Sequence, residues 1–272
     1  MNVLAATDLD RTLIYSTKAS QLGGQKPPVV CVEVHDGKQA SFMTEAAAQA
    51  IVPLAAACTL VPVTTRVPAQ FERVTLPGPA PKYAIAGNGG MLYVDGVLDR
   101  TWSAGVAREL ARGFPLADVW EQAGHVCRPE WTVKLRNAAE LFCYAVVHPN
   151  RLPEGFVSDL SGWAAERGWR ISLQGRKLYW VPDALTKSAA VAEIARRADA
   201  DLVLAAGDSL LDTDLLLAAD LGIHPRHGEL YDTGWSAPNV IQTTAAGVCA
   251  GEQIIAWFAA TVAKVSAGDG AR

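Results

Sequence analysis

A chain of 272 residues, half of them hydrophobic and 19% charged, has enough apolar material for a sizeable core and does not have the composition of a disordered protein. Its net charge of −4, with no basic run, argues against nucleic acid or an anionic membrane surface as the main partner. The five cysteines are scattered without a C-x-x-C pair, which argues against a disulfide framework or a structural zinc site. The N-terminus lacks the charged start, apolar region and cleavage site of a signal peptide, so a cytoplasmic protein is expected. At roughly 150 residues per domain, the length fits two domains.

The first predicted element is a buried strand, Val3-Leu4-Ala5-Ala6, closed by Thr7-Asp8-Leu9-Asp10-Arg11-Thr12. In an extended segment residues i and i+2 point the same way, which would bring Asp8 and Asp10 together. Two like charges held that close repel by several kcal/mol unless a cation or a shared proton offsets them. Such a pair signals a metal, acid/base chemistry or both; in isolation it is equally a solvated strand end.

A hairpin over about 29–43 follows, turning at Asp36-Gly37, and is expected to hang over the carboxylates as a flap. Thr44 can cap a helix over 45–57, with a kink or late start at Pro53. The apolar stretch 46–63 is interrupted by Gln49, Pro53, Thr59 and Pro62, so it reads as helix then strand rather than a membrane span. Leu60-Val61-Pro62-Val63 is the second parallel strand, ending at Thr64-Thr65-Arg66. A third, Tyr83-Ala84-Ile85-Ala86, ends at Gly87-Asn88-Gly89-Gly90 and leads into a hairpin turning at Asp95-Gly96.

From about 102 to 180 the texture changes, and Trp102, Trp120, Trp131, Trp163, Trp169 and Trp180 of the eight tryptophans fall there. This stretch is read as an inserted second domain, with strands over 131–136 and 142–147 and a helix over 153–167. Its tryptophans are expected as small-domain core rather than a stacking platform. Lys134 and Arg136 share a strand face with Thr132, facing either an anionic substrate or solvent.

Beyond Pro182 the α/β rhythm returns, with a helix over 187–198 and an apolar strand, Leu202-Val203-Leu204-Ala205-Ala206. Gly207-Asp208-Ser209-Leu210-Leu211-Asp212 follows, then a helix over 213–219 and a strand over 221–224. An amphipathic helix over 252–265 closes the chain, and 266–272 are expected to fray. His224 and His227, separated by Pro225, are not expected to hold a metal.

In an open parallel sheet the ligand crevice lies at the carboxyl ends of the strands, so the four polar strand ends converge there. Taken singly, Thr64 is a turn cap as readily as a ligand group, and Asp208 an ordinary helix cap. Lys187 opens a helix, where the dipole disfavours a cation unless an anion faces it; otherwise it is a surface lysine.

Asp8-Leu9-Asp10-Arg11-Thr12, Thr64 with Arg66, Lys187, and Gly207-Asp208-Ser209-Leu210-Leu211-Asp212 resemble the four ordered motifs of the haloacid dehalogenase (HAD) superfamily. The Asn88-Gly89-Gly90 turn and the large insertion resemble its Cof-type, sucrose-phosphatase-like branch. The resemblance implies a Rossmann-like three-layer α/β core with a parallel central sheet, over 1–98 and 181–272, and a smaller inserted α+β cap of C2 type over 99–180. It departs from the branch at Thr65, where glycine is usual, and in the length of the hairpin.

The resemblance further implies a magnesium-dependent phosphatase acting on a small phosphorylated metabolite, preferably phosphosugar-like. Asp8 would attack phosphorus and form an aspartyl-phosphate, with Asp10 as acid and base. Asp8, the Asp10 main-chain carbonyl and Asp208 would hold Mg2+, with Asp212 in support. Thr64, Thr65 and Lys187 would bind the phosphoryl group. Thr12, Arg66 and Asn88 would be supporting residues, and Lys134 and Arg136 would act in the cap. A phosphomutase or phosphotransferase would use the same chemistry, and a catalytically weak binding or regulatory protein would keep the fold. The sequence carries no signal of oligomeric state.

Overall fold

The computed structural model describes residues 1–269. The chain divides into two units, Met1–Leu98 together with the chain from Lys187 on, and Asp99–Thr186.

The first unit is built on a five-stranded sheet in the order Val240–Gln242, Leu221–His224, Leu202–Ala206, Val3–Thr7, Thr59–Pro62. All its pairings are parallel. A parallel bridge from Val63 to Ile85 extends the layer toward Tyr83–Ala86. The chain begins at an interior strand and adds strands first on one side of it and later on the other, which puts the switch point between the first strand and Leu202–Ala206. Ligand crevices open at such a point. The register sets Thr7 opposite Ala206, and the Asp8 N–H continues it by donating to the Ala206 carbonyl at 2.9 Å.

The first strand is buried along its whole length, as a central parallel strand must be. Thr44 caps the helix Glu45–Ala57 by accepting from the Ala47 N–H at 3.0 Å. Pro53 sits inside this helix without ending it. It lies on the exposed face, one turn after exposed Gln49, where a carbonyl that lacks its N–H partner faces water. Ala47, Ile51 and Leu54 form the buried stripe.

The closing helix, Val248–Asp269, is longer at both ends than its amphipathic stretch predicts. Residues 266–269 are helical, and the remaining residues for which fraying is expected, 270–272, lie outside the described residues. By length and composition alone this helix is apolar enough to cross a membrane. Its Ile254, Ile255, Phe258 and Val262 nevertheless sit in the main core cluster with Leu9, Leu13, Ile51, Leu204 and Ile223. Each such large apolar side chain contributes about 1.5–3 kcal/mol by leaving water.

The hairpin Val29–His35 and Lys38–Thr44 turns at Asp36 and Gly37, whose φ values of 50° and 71° are those of a type I′ turn. Its base belongs to the core body. Val32 and Met43 lie in the core cluster, and Tyr15 and Phe42 exchange backbone hydrogen bonds of 2.9 and 2.8 Å. Its tip, Val34 to Gln39, is exposed, as is Val29 where the hairpin begins. The predicted flap is therefore rooted in packed structure immediately after the first loop.

The second unit carries helices Arg100–Leu110, Leu116–Val126 and Phe156–Ala165 and a four-stranded antiparallel sheet. The sheet order is Trp169–Gln174, Lys177–Pro182, Phe142–Val147, Thr132–Ala138. Trp131, Trp169 and Trp180 are buried as core residues, while Trp120 is exposed. Residues 181–186, placed by sequence in the core, pack here: Pro182 pairs with Trp169, and Arg170 donates to the Leu185 carbonyl at 2.9 Å. Lys134 and Arg136 are exposed on the edge strand, opposite Val146 and Tyr144. A register shift between Thr132 and Lys134 interrupts the alternation that would put Thr132 on their face.

Candidate active site

The first strand ends at Thr7, and the chain then folds into a tight loop. The Leu9 carbonyl accepts from Leu13 at 2.9 Å and from Ile14 at 2.8 Å, while Arg11 takes a φ of 66°. The ring of His227 fixes this turn. The Gly247 N–H donates to its Nδ1 at 3.1 Å, so Nε2 carries the proton and donates to the Arg11 carbonyl at 2.8 Å. Burial pushes the His227 pKa down to about 4, keeping the ring neutral. On the other side the closing helix comes so near that a Cβ on Gly251 would stand 2.9 Å from the Tyr15 ring and 3.1 Å from the Thr12 carbonyl. Thr12 is buried, and its carbonyl accepts from the Tyr15 hydroxyl at 2.9 Å.

The strand ends at Thr7, and Asp8 and Asp10, though near enough for Asp10 to raise the Asp8 pKa, take different partners. Asp8 turns to Lys187, whose Nζ stands 2.6 Å from its Oδ1 and 2.5 Å from Asp212 Oδ1. Lys187 opens the helix Lys187–Arg197 and is buried. The anions that offset the unfavourable dipole there are the protein's own carboxylates. Burial alone would lower the lysine pKa, but Asp212 and Asp8 hold it above its ordinary value.

Asp212 is saturated on its other oxygen. Its Oδ2 accepts from the Asp208 N–H at 3.0 Å, the Ser209 N–H at 2.9 Å and the Ser209 hydroxyl at 2.7 Å, forming a capping box for the turn Leu210–Asp212. Glycine at 207 permits this closeness, since a Cβ there would overlap the Asp212 side chain. Asp208 is buried yet poorly paired. Among the described residues Arg11 is its one cation at ion-pair distance, 3.5 Å from Nε to Oδ2. Gly228, at φ +90°, lies where a Cβ would stand 2.6 Å from the Asp208 carboxylate. Burial, with Asp8 and Asp212 nearby, raises the Asp208 pKa well above the carboxylate range against the pull of Arg11. Burial likewise pushes Asp8 up to about 7 against the pull of Lys187.

Ligand oxygens of Asp8, Asp208 and Asp212 lie within 4.8 Å of one another, close enough to hold a metal ion. Three buried carboxylates facing one ammonium and one guanidinium leave an excess of negative charge. A hard divalent cation fits that donor set. With Asp212 Oδ2 already accepting three hydrogen bonds, Asp8 and Asp208 have more capacity than Asp212 to take up a cation.

Asp10 turns to Arg66, in a two-point pair of 2.7 Å (Nε to Oδ2) and 2.8 Å (Nη2 to Oδ1). Arg66 also donates to Glu33 Oε2 at 2.9 Å and to the Gln70 carbonyl at 3.2 Å. Glu33 was not singled out by sequence. The Thr64 hydroxyl accepts from the Arg66 N–H at 3.1 Å, which leaves its hydrogen to donate elsewhere. Buried Asn88, at φ 56°, donates its N–H to the Thr64 carbonyl at 2.9 Å, tying the second loop to the turn Gly87–Gly89. Thr65 is buried without a positive φ, so its position does not demand glycine. Thr12, Thr64, Thr65, Arg66, Asn88, Lys187, Asp208 and Asp212 thus all belong to the same unit as Asp8 and Asp10, whereas Lys134 and Arg136 belong to the other.

No family model matches the sequence, and no curated protein matches it by sequence. Solved structures do match it in fold. The sucrose-phosphatase of Synechocystis sp., in complex with sucrose and phosphate, is 16% identical, over 95% of this chain and 98% of that one, with a TM-score of 0.62. A trehalose-6-phosphate phosphatase related protein is 16% identical over 96% and 99%, with a TM-score of 0.56. A HAD subclass IIB sugar phosphatase is 12% identical over 96% and 100%, with a TM-score of 0.57. The chain therefore has the fold of the HAD superfamily phosphatases.

Proposed function

We propose that this protein is a magnesium-dependent phosphomonoesterase of the HAD superfamily that hydrolyses a small phosphorylated metabolite, preferably a sugar phosphate. The observation that carries this reading is the meeting of Asp8, Asp208, Asp212 and Lys187 at the carboxyl end of a parallel sheet, beside its switch point. Supporting it is a fold shared with proteins described as sugar phosphatases.

In this reading an Asp8 oxygen attacks phosphorus as the bond to the ester oxygen breaks, and Asp10 gives its proton to the departing alcohol. Asp10 then takes a proton from water, whose oxygen attacks the aspartyl-phosphate and releases phosphate and free Asp8. Lys187 holds Asp8 in place and neutralises phosphoryl charge, while the Thr64 hydroxyl donates to a phosphoryl oxygen. Asp8, the Asp10 main-chain carbonyl and Asp208, with Asp212 in support, would hold magnesium, which would supply positive charge to the phosphoryl group and offset the repulsion among the carboxylates. The inserted unit serves as the cap, with Lys134 and Arg136 as selectivity residues, and the enzyme works in the cytoplasm.

The test is phosphate release from a panel of sugar and other metabolite phosphates, with magnesium and with chelator. Turnover should require the metal, and Asp8→Asn should lower kcat by at least about 1,000-fold. Robust, metal-independent turnover by that variant rejects the mechanism.

A further inference from the structure

We infer that Glu33, in the hairpin strand Val29–His35, is a positioning residue for Asp10, acting through Arg66. The inference rests on the proposed role of Asp10 as the acid and base, and it assigns part of the acid/base apparatus to the hairpin.

Glu33 occupies an irregular place in its strand. Cys31 pairs with Phe42, Glu33 with Ser41 and Val34 with Gln39, so the register slips once on each side of Glu33. As a result the consecutive residues Val32 and Glu33 are both buried, at 3% and 4% exposure, where a regular strand would send one of them to solvent. Bulges re-aim side chains in this way. The Glu33 carboxylate is held at three points: Ser41 Oγ donates to Oε2 at 2.6 Å, Arg66 Nη2 to Oε2 at 2.9 Å and Arg73 Nε to Oε1 at 3.1 Å. An antiparallel bridge to Val74 and the Thr75 N–H to Val32 carbonyl bond of 2.8 Å hold the surrounding backbone.

Held on one side by Glu33 and by the Gln70 carbonyl, Arg66 presents Nε and Nη2 to Asp10 in a fixed plane. A carboxylate engaged this way keeps further lone pairs on both oxygens, and Asp10 has a partly exposed side chain, at 39%. Buried ion-pair networks contribute little net stability compared with apolar residues of equal volume. What this one contributes is orientation. Proton transfer needs its donor within hydrogen-bond reach of the ester oxygen, and general acid catalysis is worth about 100- to 10,000-fold.

Dependence on the leaving group tests this. An ester whose alcohol is a poor leaving group, such as a sugar phosphate, needs the proton; p-nitrophenyl phosphate, whose phenolate leaves readily, does not. With magnesium present, Glu33→Gln should lower kcat on the sugar phosphate by about 10-fold or more with little change in KM, and on the aryl ester by less than about 3-fold. The Arg66 Nε–H, buried and bonded to Asp10, should exchange with water faster in the variant than in the native protein by nitrogen NMR. Equal losses on both esters, no loss on the sugar phosphate, or an unchanged Nε–H would overturn the role of Glu33. If Glu33→Gln does not fold, Ser41→Ala, which removes only the 2.6 Å bond, is expected to move the ratio of the two kcat values in the same direction; an unmoved ratio overturns the role. A native protein that hydrolyses neither ester rejects the phosphatase reading and this role with it, whereas native activity on both with equal losses rejects the role alone.

Discussion

Two charge clusters, each with buried members, flank the first loop, and they differ in balance. On one side Asp10 and Glu33 meet Arg66 and Arg73, two negative charges with two positive. On the other Asp8, Asp208 and Asp212 meet Lys187 and Arg11, and one negative charge is left over. The hydrogen bonds of Arg66, Ser41 and Arg73 more than offset burial and hold Glu33 below the usual carboxylate range. In the other cluster burial and like charges raise Asp8 and Asp208 above it. The balanced cluster fixes Asp10 in one orientation; the deficient one has a donor set that suits a cation.

The largest effect should come from deepening the deficit. Lys187→Met leaves Asp8 and Asp212 without their shared ammonium and should cost about 3–5 kcal/mol in denaturant unfolding. Added magnesium should recover part of that loss; an unchanged unfolding midpoint would count against the deficient cluster depending on Lys187.

His227, which holds the Arg11 carbonyl of the first loop, offers a second test through pH. Burial outweighs its bond to the Arg11 carbonyl, and Arg11 and His224 add to the lowering, so the folded ring titrates near 4 while an unfolded histidine titrates near 6.5. Between those values the unfolded chain binds the extra proton, so this contribution is full above pH 6.5 and declines as pH falls toward 4. The loss is on the order of 3 kcal/mol. Glu33, with its pKa lowered from 4.5, acts in a more acidic window: its contribution is present above pH 4.5 and lost as pH falls through its folded value. Subtracting the stability profile of His227→Gln from that of the native protein should isolate the histidine slope, and parallel profiles would refute it.

The smallest effect has the opposite sign to the first. Asp208→Asn removes the surplus charge, so unfolding free energy without metal should rise by about 1 kcal/mol, while the magnesium-induced rise in Tm disappears. A variant that is less stable without metal, or that keeps its magnesium response, would show that the excess charge at Asp208 is not what invites the cation.

Features that depend on neighbours in sequence were legible. The apolar run that stops at Asp8, the Asp36-Gly37 turn, the Thr44 cap and the strand Leu202–Ala206 all announce themselves locally, and the parallel sheet follows from their order. What depends on irregular backbone was hidden. Glu33, within Val-Val-Cys-Val-Glu-Val, reads as the solvent-facing residue of an alternating strand, and only two register slips reverse that. Asp8 and Asp10 read as convergent because the end of the strand at Thr7 and the turn at Arg11 leave no periodic signal. The edge strand Val240–Gln242, three residues with two exposed, is too short for any pattern. The surplus charge itself was visible as a cluster of aspartates, but the saturation of Asp212 by the Ser209 cap was not.

The close approach of Gly251 to Tyr15 and Thr12 bears on the order in which the molecule is made. During synthesis the loop that carries Asp8 emerges well before His227, Gly247 and Gly251, which brace it. Contacts spanning so much of the chain form late, after their loop-closure entropy is met. A nascent chain cut short before Gly251 lacks the support that gives the first loop its shape, so a premature stop there removes part of the scaffold behind residues made much earlier.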